Sequence, residues 1–455
     1  MMAKFKGYKL GDIADILTSN VDKKVTPNQK TVKLCNFVDV YHNWAITKEN
    51  YASFMTATAS DEEISKFSLK KGQVAFTKDS ETRDDIGIPT YIAESFNDVV
   101  LGYHTALATL DENIVSGEYL NAFMRSPFIQ KYFELNATGS GMRYTLSQQT
   151  LHDIPILAPD LPTQNKIGAL LSNIDSKISV NRQINRNLEE LAKQIYDYWF
   201  VQFDFPNEDG KPYKSSGGKM VWNELLKREI PEGWEVGKIG DFVEIITKGT
   251  SPSTVGFEFT KTGVNFIKVE CIENGNILTD NLMHISEEAN IALKRSQLQE
   301  NDILVTIAGR LGSSAVVSKT ILPANTNQAV GIIRLKKNFK FLANYLYEQI
   351  ISEDVQKHLQ GANAQSIQKN LSLPNLADIT FAYDKELKIL SVFNEKILSI
   401  FNNQLSIGAE IDKLISLRDT LLPLLMNGQV TLNSCLSQHH FHYFVKFNLW
   451  EVYVI

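Results

Sequence analysis

Residues 167–195 of the chain read IGALLSNIDSKISVNRQINRNLEELAKQI and carry a seven-residue repeat. The first row of the repeat comprises Ile167, Ile174, Asn181, Leu188 and Ile195. A second row is predicted three positions further on, at Leu170, Ile184, Leu191 and Tyr198, with Lys177 as the main exception. Two such rows are typical of a helix that pairs in a coiled coil.

The same repeat returns 223 positions later, in a second predicted helix. Its two rows are Leu390, Ile397, Gln404, Ile411 and Arg418, then Phe393, Ile407, Leu414 and Leu421. Asn181 and Gln404 occupy equivalent positions, where a polar side chain lowers stability but fixes register. We expect these two to be bonded across the pair; the alternative is a tolerated surface residue on each helix. The predicted helix-pairing seam is Ile174, Asn181, Ile184, Leu188, Leu191, Ile397, Gln404, Ile407, Ile411 and Leu414.

The segments before the two helices also correspond to each other. YKLGDIADI (8–16) is similar to VGKIGDFVEI (236–245), and KGQVAFTK (71–78) to ENDILVTI (300–307). YHTALATL (103–110) is similar to NQAVGIIRL (327–335), and each half ends with Leu-x-Asp-Ile before its helix. Short β-type runs dominate each half, and a more helical piece follows them. This order predicts an internal repeat of two α+β domains, each followed by a long helix.

The predicted layout has six parts, which are a first domain (1–162), a spacer helix (163–200), a connector (201–233), a second domain (234–384), a second spacer helix (385–428) and an atypical aromatic tail (429–455). The connector contains DFPNEDGKPYKSSGGKM (204–220), whose proline and glycine residues break regular structure. Antiparallel pairing of the two helices would relate the domains by a pseudo-two-fold axis. The fold class is therefore α+β with an antiparallel coiled coil.

Composition narrows the function classes. The chain has 455 residues, 43% of them hydrophobic, and a net charge of −6, which neither demands nor excludes DNA. Cys35, Cys271 and Cys435 lie too far apart in sequence to suggest a disulfide framework or a clustered metal site. No apolar run of about 18 residues suggests a membrane span, so we expect a soluble, cytoplasmic protein without membrane contact.

Motifs for independent chemistry are missing from the sequence. No proline is adjacent to another, which argues against the Asp- or Asn-Pro-Pro-aromatic motif of an adenine methyltransferase, and no G-x-x-x-x-G-K-[ST] nucleotide loop is present. His439, His440 and His442 form a tail cluster without a further predicted ligand, so no metal site is expected. We predict no catalytic residue.

Loops at matching places in the two halves carry side chains suited to reading base edges and phosphates. Arginine suits guanine, asparagine and glutamine suit adenine, and lysine and threonine suit phosphates. The predicted DNA-binding residues are Lys78, Arg83, His104, Arg143, Thr306, Arg310, Asn327, Gln328 and Gln365. The alternative is that Asn327 and Gln328 satisfy buried backbone groups and that Arg83 and Arg310 are solvated charges.

The centre of the chain resembles a known family. YDYWFVQFDFP (196–206), GKPYK (210–214), SGGKM (216–220) and IPEGW (230–234) are similar to the central region of type I restriction-modification specificity subunits. PTQNKI (162–167) and LLPLLMNG (421–428) resemble the helix borders of that family, and FTKDSET (76–82) resembles one class of its target recognition domains. The resemblance covers about residues 5–432, and the chain departs from the pattern after Gly428.

The resemblance implies a function. Each recognition domain would read one half of a bipartite double-stranded DNA site, and the helices would set the gap and dock two methyltransferase subunits. Restriction motor subunits would join this core, and the methyltransferase would methylate adenine at N6. S-adenosylmethionine, ATP and Mg would belong to the partner subunits, with no cofactor bound by this chain. Alternatives are a related system whose partner fuses methylase and nuclease, a self-sufficient methyltransferase or nuclease, and a coiled-coil assembly protein without DNA preference.

Overall fold

The computed structural model describes residues 5–140, 143–273, 275–279, 282–361 and 371–430. Gln365 and the predicted histidine cluster of the tail lie outside these ranges. The chain divides into unit 1 (Met1–Gln183 with Ile407–Ile455) and unit 2 (Ile184–Ser406). Each unit has its own sheets and cores.

Unit 1 contains thirteen strands among its described residues. They are β1 (Lys6–Lys9), β2 (Ala14–Thr18), β3 (Lys30–Cys35), β4 (Ala45–Ile46), β5 (Met55–Ala59), β6 (Val74–Thr77), β7 (Asp79–Ser80), β8 (Pro89–Ile92), β9 (Val99–Leu101), β10 (Thr105–Leu110), β11 (Thr138–Ser140), β12 (Arg143–Thr145) and β13 (Pro155–Ala158). Its short helices are α1 (Leu10–Ile13), α2 (Phe37–His42), α3 (Asp61–Phe67), α4 (Gly117–Met124), α5 (Pro127–Asn136) and α6 (Gln148–His152), with a 3₁₀ turn at Lys48–Ser53.

The helix α7 (Leu161–Tyr196) begins in unit 1 and continues as a π-helical turn, Asp197–Val201. Unit 2 contains thirteen described strands, β14 (Met220–Asn223), β15 (Arg228–Pro231), β16 (Trp234–Lys238), β17 (Val243–Lys248), β18 (Val264–Ile267), β19 (Ile272–Glu273), β20 (Asn276–Ile277), β21 (Met283–Ile285), β22 (Ile303–Thr306), β23 (Ser314–Val316), β24 (Ala324–Thr326), β25 (Val330–Leu335) and β26 (Thr380–Asp384). Its helices are α8 (Ile239–Phe242), α9 (Glu287–Ala292), α10 (Ala343–Ile351), α11 (Glu353–Gly361), α12 (Leu373–Ala377) and the start of α13 (Lys388–Met426), with 3₁₀ turns at Pro252–Val255, Val269–Cys271, Lys294–Ser296, Lys319–Ile321 and Lys337–Leu342.

The two units share the order of their central strands. The main sheet has the order β2-β10-β6-β8-β4 in unit 1 and β17-β25-β22-β23 in unit 2. A three-stranded sheet has the order β5-β3-β9 in unit 1 and β21-β18-β24 in unit 2, and in both its last pair is parallel. Each unit also has an antiparallel pair, β1 with β13 and β16 with β26. The sheet β11-β12-β7 belongs to unit 1, and the pairs β14-β15 and β19-β20 belong to unit 2. The predicted α+β class and internal repeat are confirmed.

Backbone hydrogen bonds give the residue-by-residue correspondence between the units. The amide of Lys78 donates to the carbonyl of His104 in unit 1, and that of Ile307 donates to Ala329 in unit 2, both at 2.8 Å. Lys78 therefore corresponds to Ile307, and His104 corresponds to Ala329. The sequence comparison paired His104 with Asn327 and Gln328, which lie two positions and one position before Ala329.

Alternate side chains along the strands of each main sheet pack into different cores on its two faces. Phe76 packs in a core with Tyr119, whereas its neighbour Ala75 packs on the other face with Val32. In unit 2, Val305 and Leu304 divide between two cores in the same way. Successive strand residues point to opposite faces, so each sheet is buried on both sides.

The predicted connector (201–233) folds onto unit 2. Phe205 stacks between Tyr213 and Trp234, with ring centroids 4.8 and 5.1 Å apart. The Asp204 carboxylate accepts from the Ser215 amide and hydroxyl at 2.7 and 2.6 Å. These contacts hold the Gly- and Pro-rich loop before the hairpin of β14 and β15.

Aspartates cap both long helices at their N-termini. The Asp160 carboxylate accepts from the Thr163 amide at 3.0 Å, and the Asp384 carboxylate accepts from the Lys388 amide at 2.6 Å. A carboxylate at this position satisfies free amides and favours the positive end of the helix dipole.

The two helices run antiparallel within each unit. In unit 1, Arg418 Nη1 lies 3.2 Å from Asp175 Oδ1, and Asn181 Nδ2 donates to Glu410 Oε2 at 3.0 Å. In unit 2, Gln404 and Asn185 exchange bonds with each other's carbonyls at 3.3 and 3.4 Å. Asn181 and Gln404 are both buried, but each has another partner than the one expected.

The predicted second row on α7 is wrong by one position. Leu171, Ile178 and Ala192 are at most 2% exposed, whereas Ile184 and Leu191 are 39% and 44% exposed. The buried row lies four positions after the first, and one position turns a side chain by about 100° around a helix. On α13 the row lies three positions after the first, as predicted.

Other predicted seam residues are buried or partly buried. Ile174 and Leu414 are buried together with Ile178 in unit 1, and Ile411 packs beside them. Ile407 is partly buried. In unit 2, Ile397 is buried and Leu188 packs against the same core. Lys177, the apparent interruption, lies outside the buried row and its ammonium is 3.5 Å from Glu410.

The register of the helix pair predicts that replacing isoleucine with alanine affects stability unequally at two positions of α7. Ile178→Ala is expected to lower the free energy of unfolding by about 2–5 kcal/mol, because it leaves a cavity. Ile184→Ala, its matched control, is expected to change it by less than about 1 kcal/mol. Urea unfolding of the isolated chain measures both, and equal losses would contradict the register.

In the part of the chain that the structure describes, no helix combines the length and apolarity needed to cross a bilayer.

Candidate nucleic-acid interface

A cleft of about 470 Å³ lies in unit 1 at the ends of β6 and β10. It brings together three of the predicted DNA-binding residues, Lys78, His104 and Arg143. Lys78 follows β6, His104 precedes β10, and Arg143 begins β12. The pairing of β12 with β7 brings Arg143 to this edge, 64 positions after Asp79.

Asp79 connects two of these groups. His104 Nδ1 lies 2.6 Å from Asp79 Oδ2, and Arg143 Nη2 donates to the same oxygen at 3.0 Å. Arg143 Nη2 also contacts the His104 ring, 3.0 Å from Nε2. A nearly buried carboxylate needs such partners, because desolvation of an unpaired charge is costly.

The Asp79 carboxyl is held in its charged form. Burial opposes the charge, but hydrogen bonds from Thr145, His104 and Arg143 outweigh it and lower the pKa of Asp79 below its usual value. Sequence reasoning missed Asp79, although it lies next to Lys78 in the FTKDSET stretch. An acidic residue directly after a buried strand and beside predicted cations was the available signal.

His104 has an unusual backbone conformation, with φ at 69°. Non-glycine residues seldom adopt this left-handed region, and where they do the surroundings must hold them there. The bond to Asp79 and the close approach of the Tyr103 ring, 3.8 Å between centroids, are such contacts.

Arg83 is not among the residues that line the cleft. Its guanidinium lies 5.1 Å from the centroid of the Tyr144 ring, a cation–π contact on the surface of unit 1.

Unit 2 has different side chains at the matching strand ends. Ile307, Ala308 and Ala329 stand where unit 1 has Lys78, Asp79 and His104. Among the described residues of unit 2, these three positions therefore carry no charged side chain.

Two of the residues predicted to bind DNA in unit 2 hold the loop between β22 and β23 in place. Thr306 is fully buried and its hydroxyl donates to the Arg310 carbonyl, so its prediction as a DNA contact is wrong. The exposed Arg310 guanidinium donates to the Ile272 carbonyl and lies 3.7 Å from Glu273. These bonds fix the loop between β22 and β23.

The other predicted groups of unit 2 lie before β25. Asn327 is partly buried and its side-chain oxygen accepts from the Ala329 amide at 3.2 Å, the structural role that the sequence left open. Gln328 is exposed, and Ser251 donates its hydroxyl to Gln328 Oε1 at 2.6 Å. Ser251 was not predicted, because it approaches from the loop after β17.

Among the described residues no group of three or more His, Cys, Asp or Glu side chains is arranged to hold a metal ion.

The family model described as the type I restriction modification DNA specificity domain matches residues 2–190 and 231–405. The chain belongs to this family. Its two matched segments correspond to the two halves of the internal repeat.

Known proteins similar to the chain include specificity subunits of named restriction enzymes. The type I restriction enzyme HindI specificity subunit of Haemophilus influenzae is 25% identical, and the alignment covers 94% of this chain and 100% of the relative. The MjaIX specificity subunit of Methanocaldococcus jannaschii is 25% identical over 70% of this chain and 69% of its own.

A solved structure supports the fold. The crystal structure of a type I restriction-modification system S subunit from M. genitalium matches with a TM-score of 0.57 and 14% identity. The match covers 93% of this chain and 96% of that one. At this identity the likeness bears on the fold alone.

Proposed function

We propose that the chain is the DNA sequence-specificity subunit of a type I restriction-modification complex, in which each unit reads one half of a bipartite double-stranded DNA site. The observation that carries the proposal is one strand topology used twice with different side chains at the same strand ends. The same strand order positions corresponding loops in the same way in each unit. The different side chains on those loops then give each unit its own base preference.

The chemistry of the loops suits base reading. Unit 1 offers the guanidinium of Arg143 and the ammonium of Lys78 beside a cleft, whereas unit 2 offers the exposed amide of Gln328. Arginine pairs best with guanine and glutamine with adenine, so the two half-sites are expected to differ in sequence.

We further propose that α7 and α13 set the unread gap and dock two methyltransferase subunits. Apolar side chains exposed on α7, among them Val180, Ile184 and Leu191, would provide contact area for such partners. The partners would carry the N6-adenine methylation with S-adenosylmethionine, and restriction motor subunits would use ATP and Mg. This chain itself would bind no cofactor.

DNA selection tests the proposal. The complex of this chain with its methyltransferase subunit is expected to retain, from random duplexes, a motif of two short blocks with a fixed gap. Gln328→Ala is expected to relax one block and leave the other unchanged. Gln299→Ala, an exposed glutamine at the opposite end of β22, is the matched control and should alter neither. A motif without two blocks would contradict the proposal.

A further inference from the structure

We propose that Arg143 reads a guanine in the half-site of unit 1 and that Asp79 is the residue that positions Arg143. The inference rests on the proposed function, since it assumes that unit 1 reads DNA. It adds the base that is read, the contact that reads it and a residue whose role is orientation.

The guanidinium of Arg143 is both accessible and held. The Arg143 side chain is 56% exposed at the cleft, whereas that of Asp79 is 11% exposed. The contacts with Asp79 and His104 both use Nη2, whereas a guanidinium has five N–H donors. The N–H donors of Nε and Nη1 thus remain for bonds to O6 and N7 of guanine.

A phosphate is a poorer partner at this place. The Asp79 carboxylate, 3.0 Å from Nη2, offsets the charge of Arg143 and would repel a phosphate oxygen that approached the same nitrogen. A base edge carries partial charges only, so the repulsion is smaller there. The lowered pKa of Asp79 keeps this carboxylate charged at neutral pH.

Orientation is the contribution of Asp79. A free arginine loses much rotamer freedom when it binds a base edge, which weakens the contact. Asp79 belongs to β7, which pairs with the strand that begins at Arg143, so the two backbones are fixed relative to each other. The His104 ring contacts the same Nη2 and further limits its motion.

Among the described residues, the pairing of an arginine with a carboxylate at this strand end is found in unit 1. Ala308 stands in unit 2 at the position of Asp79 and offers no carboxylate. Changes at Asp79 or Arg143 are therefore expected to alter one block of the bipartite motif.

The test is DNA selection by the complex with the block of unit 1 randomised. The wild type is expected to prefer guanine at one position by about tenfold or more, the usual range for a bidentate arginine contact. Arg143→Gln is expected to abolish this preference, and Arg143→Lys to weaken it, with other positions unchanged. Asp79→Asn is expected to weaken the preference at the same position.

A double variant separates positioning from structure. If Asp79 acts through Arg143, adding Asp79→Asn to Arg143→Gln changes the base preference no further. Lys131→Gln, on the surface helix α5, controls for loss of a surface cation. When Arg143 is replaced, the Asp79 carboxylate keeps its hydrogen bonds with Thr145 and His104, so the Arg143 variants are expected to unfold near the midpoint of the wild type.

Three results would overturn the inference. They are an unchanged base preference in Arg143→Gln, an equal loss of affinity for all sequences, and a further change of preference when Asp79→Asn is added to Arg143→Gln. The second would identify a phosphate contact. Absence of any two-block motif in the wild type would instead reject the proposed function.

Discussion

Replacing Arg334 with threonine is expected to lower the stability of unit 2 by about 3–5 kcal/mol, because it leaves the charge of Asp302 buried without its partner. Arg334 donates to both carboxylate oxygens of Asp302, at 2.9 and 2.6 Å, and to the Gln297 carbonyl at 2.8 Å. The hydrogen bond to Asp302 raises the pKa of Arg334 above its usual value. The Asp302 side chain is only 1% exposed.

Unit 1 contains a neutral version of this pair. Gln73 and Thr109 occupy the positions of Asp302 and Arg334, and Gln73 Nε2 donates to the Thr109 hydroxyl at 2.8 Å. The Lys70 amide donates to Gln73 Oε1 at 2.7 Å, as the Gln299 amide donates to Asp302 at 2.7 Å. The fold therefore accepts either pair at this place.

A double-mutant cycle uses this natural exchange. Asp302→Gln and Arg334→Thr are each expected to destabilise unit 2, whereas the double variant is expected to lose less than either single one. Urea unfolding followed by tryptophan fluorescence measures the effect, since Trp199 and Trp234 report on unit 2. Additive losses would contradict the argument.

Glu348→Gln is expected to stabilise unit 2 at alkaline pH by about 2–4 kcal/mol. Glu348 is 3% exposed on α10. Burial, together with the charges of Asp197 and Glu189, raises the pKa of Glu348 from 4.5 to about 8. Charging the carboxyl in the folded protein is therefore unfavourable.

The direction of the pH dependence follows from this raised pKa. The folded state binds the Glu348 proton more tightly than the unfolded state, so its stabilising effect is complete below pH 4.5 and is lost as the pH rises towards about 8. Glutamine stays neutral and removes this loss.

Unfolding midpoints measured between about pH 5 and pH 8.5 check the prediction. Wild type and Glu348→Gln should differ little at the acid end and increasingly towards the alkaline end. Glu395→Gln, an exposed glutamate on α13, is the matched control. Parallel curves for wild type and Glu348→Gln would show that Glu348 does not titrate in this range.

The sequence predicted the repeat and the long helices well, because both depend on periodic patterns. It misplaced one row of the seam because Ile184 and Leu191 are apolar but exposed. The row that faces the partner helix instead includes the partly buried Asn185 and the buried Ala192. The residue type at one position does not reveal which of two neighbouring helix faces packs against the partner helix.

The candidate site was predicted in part. Lys78, His104 and Arg143 were predicted as side chains that contact DNA, and the structure brings them to one cleft. Asp79, which joins two of them, was missed because its role depends on a pairing between distant strands. Thr306 was predicted as a contact because it recurs beside a loop, but recurrence also marks buried structural residues.

The central claim is that the two units read two separate blocks of DNA, and mapping N6-methyladenine by long-read sequencing tests it most directly. The chain would be produced with its methyltransferase subunit in a host that lacks this modification. We expect methylation within a motif of two short blocks separated by a gap of fixed length and unspecified sequence. Methylation in one continuous motif, or none from a stable and folded complex, would contradict the account.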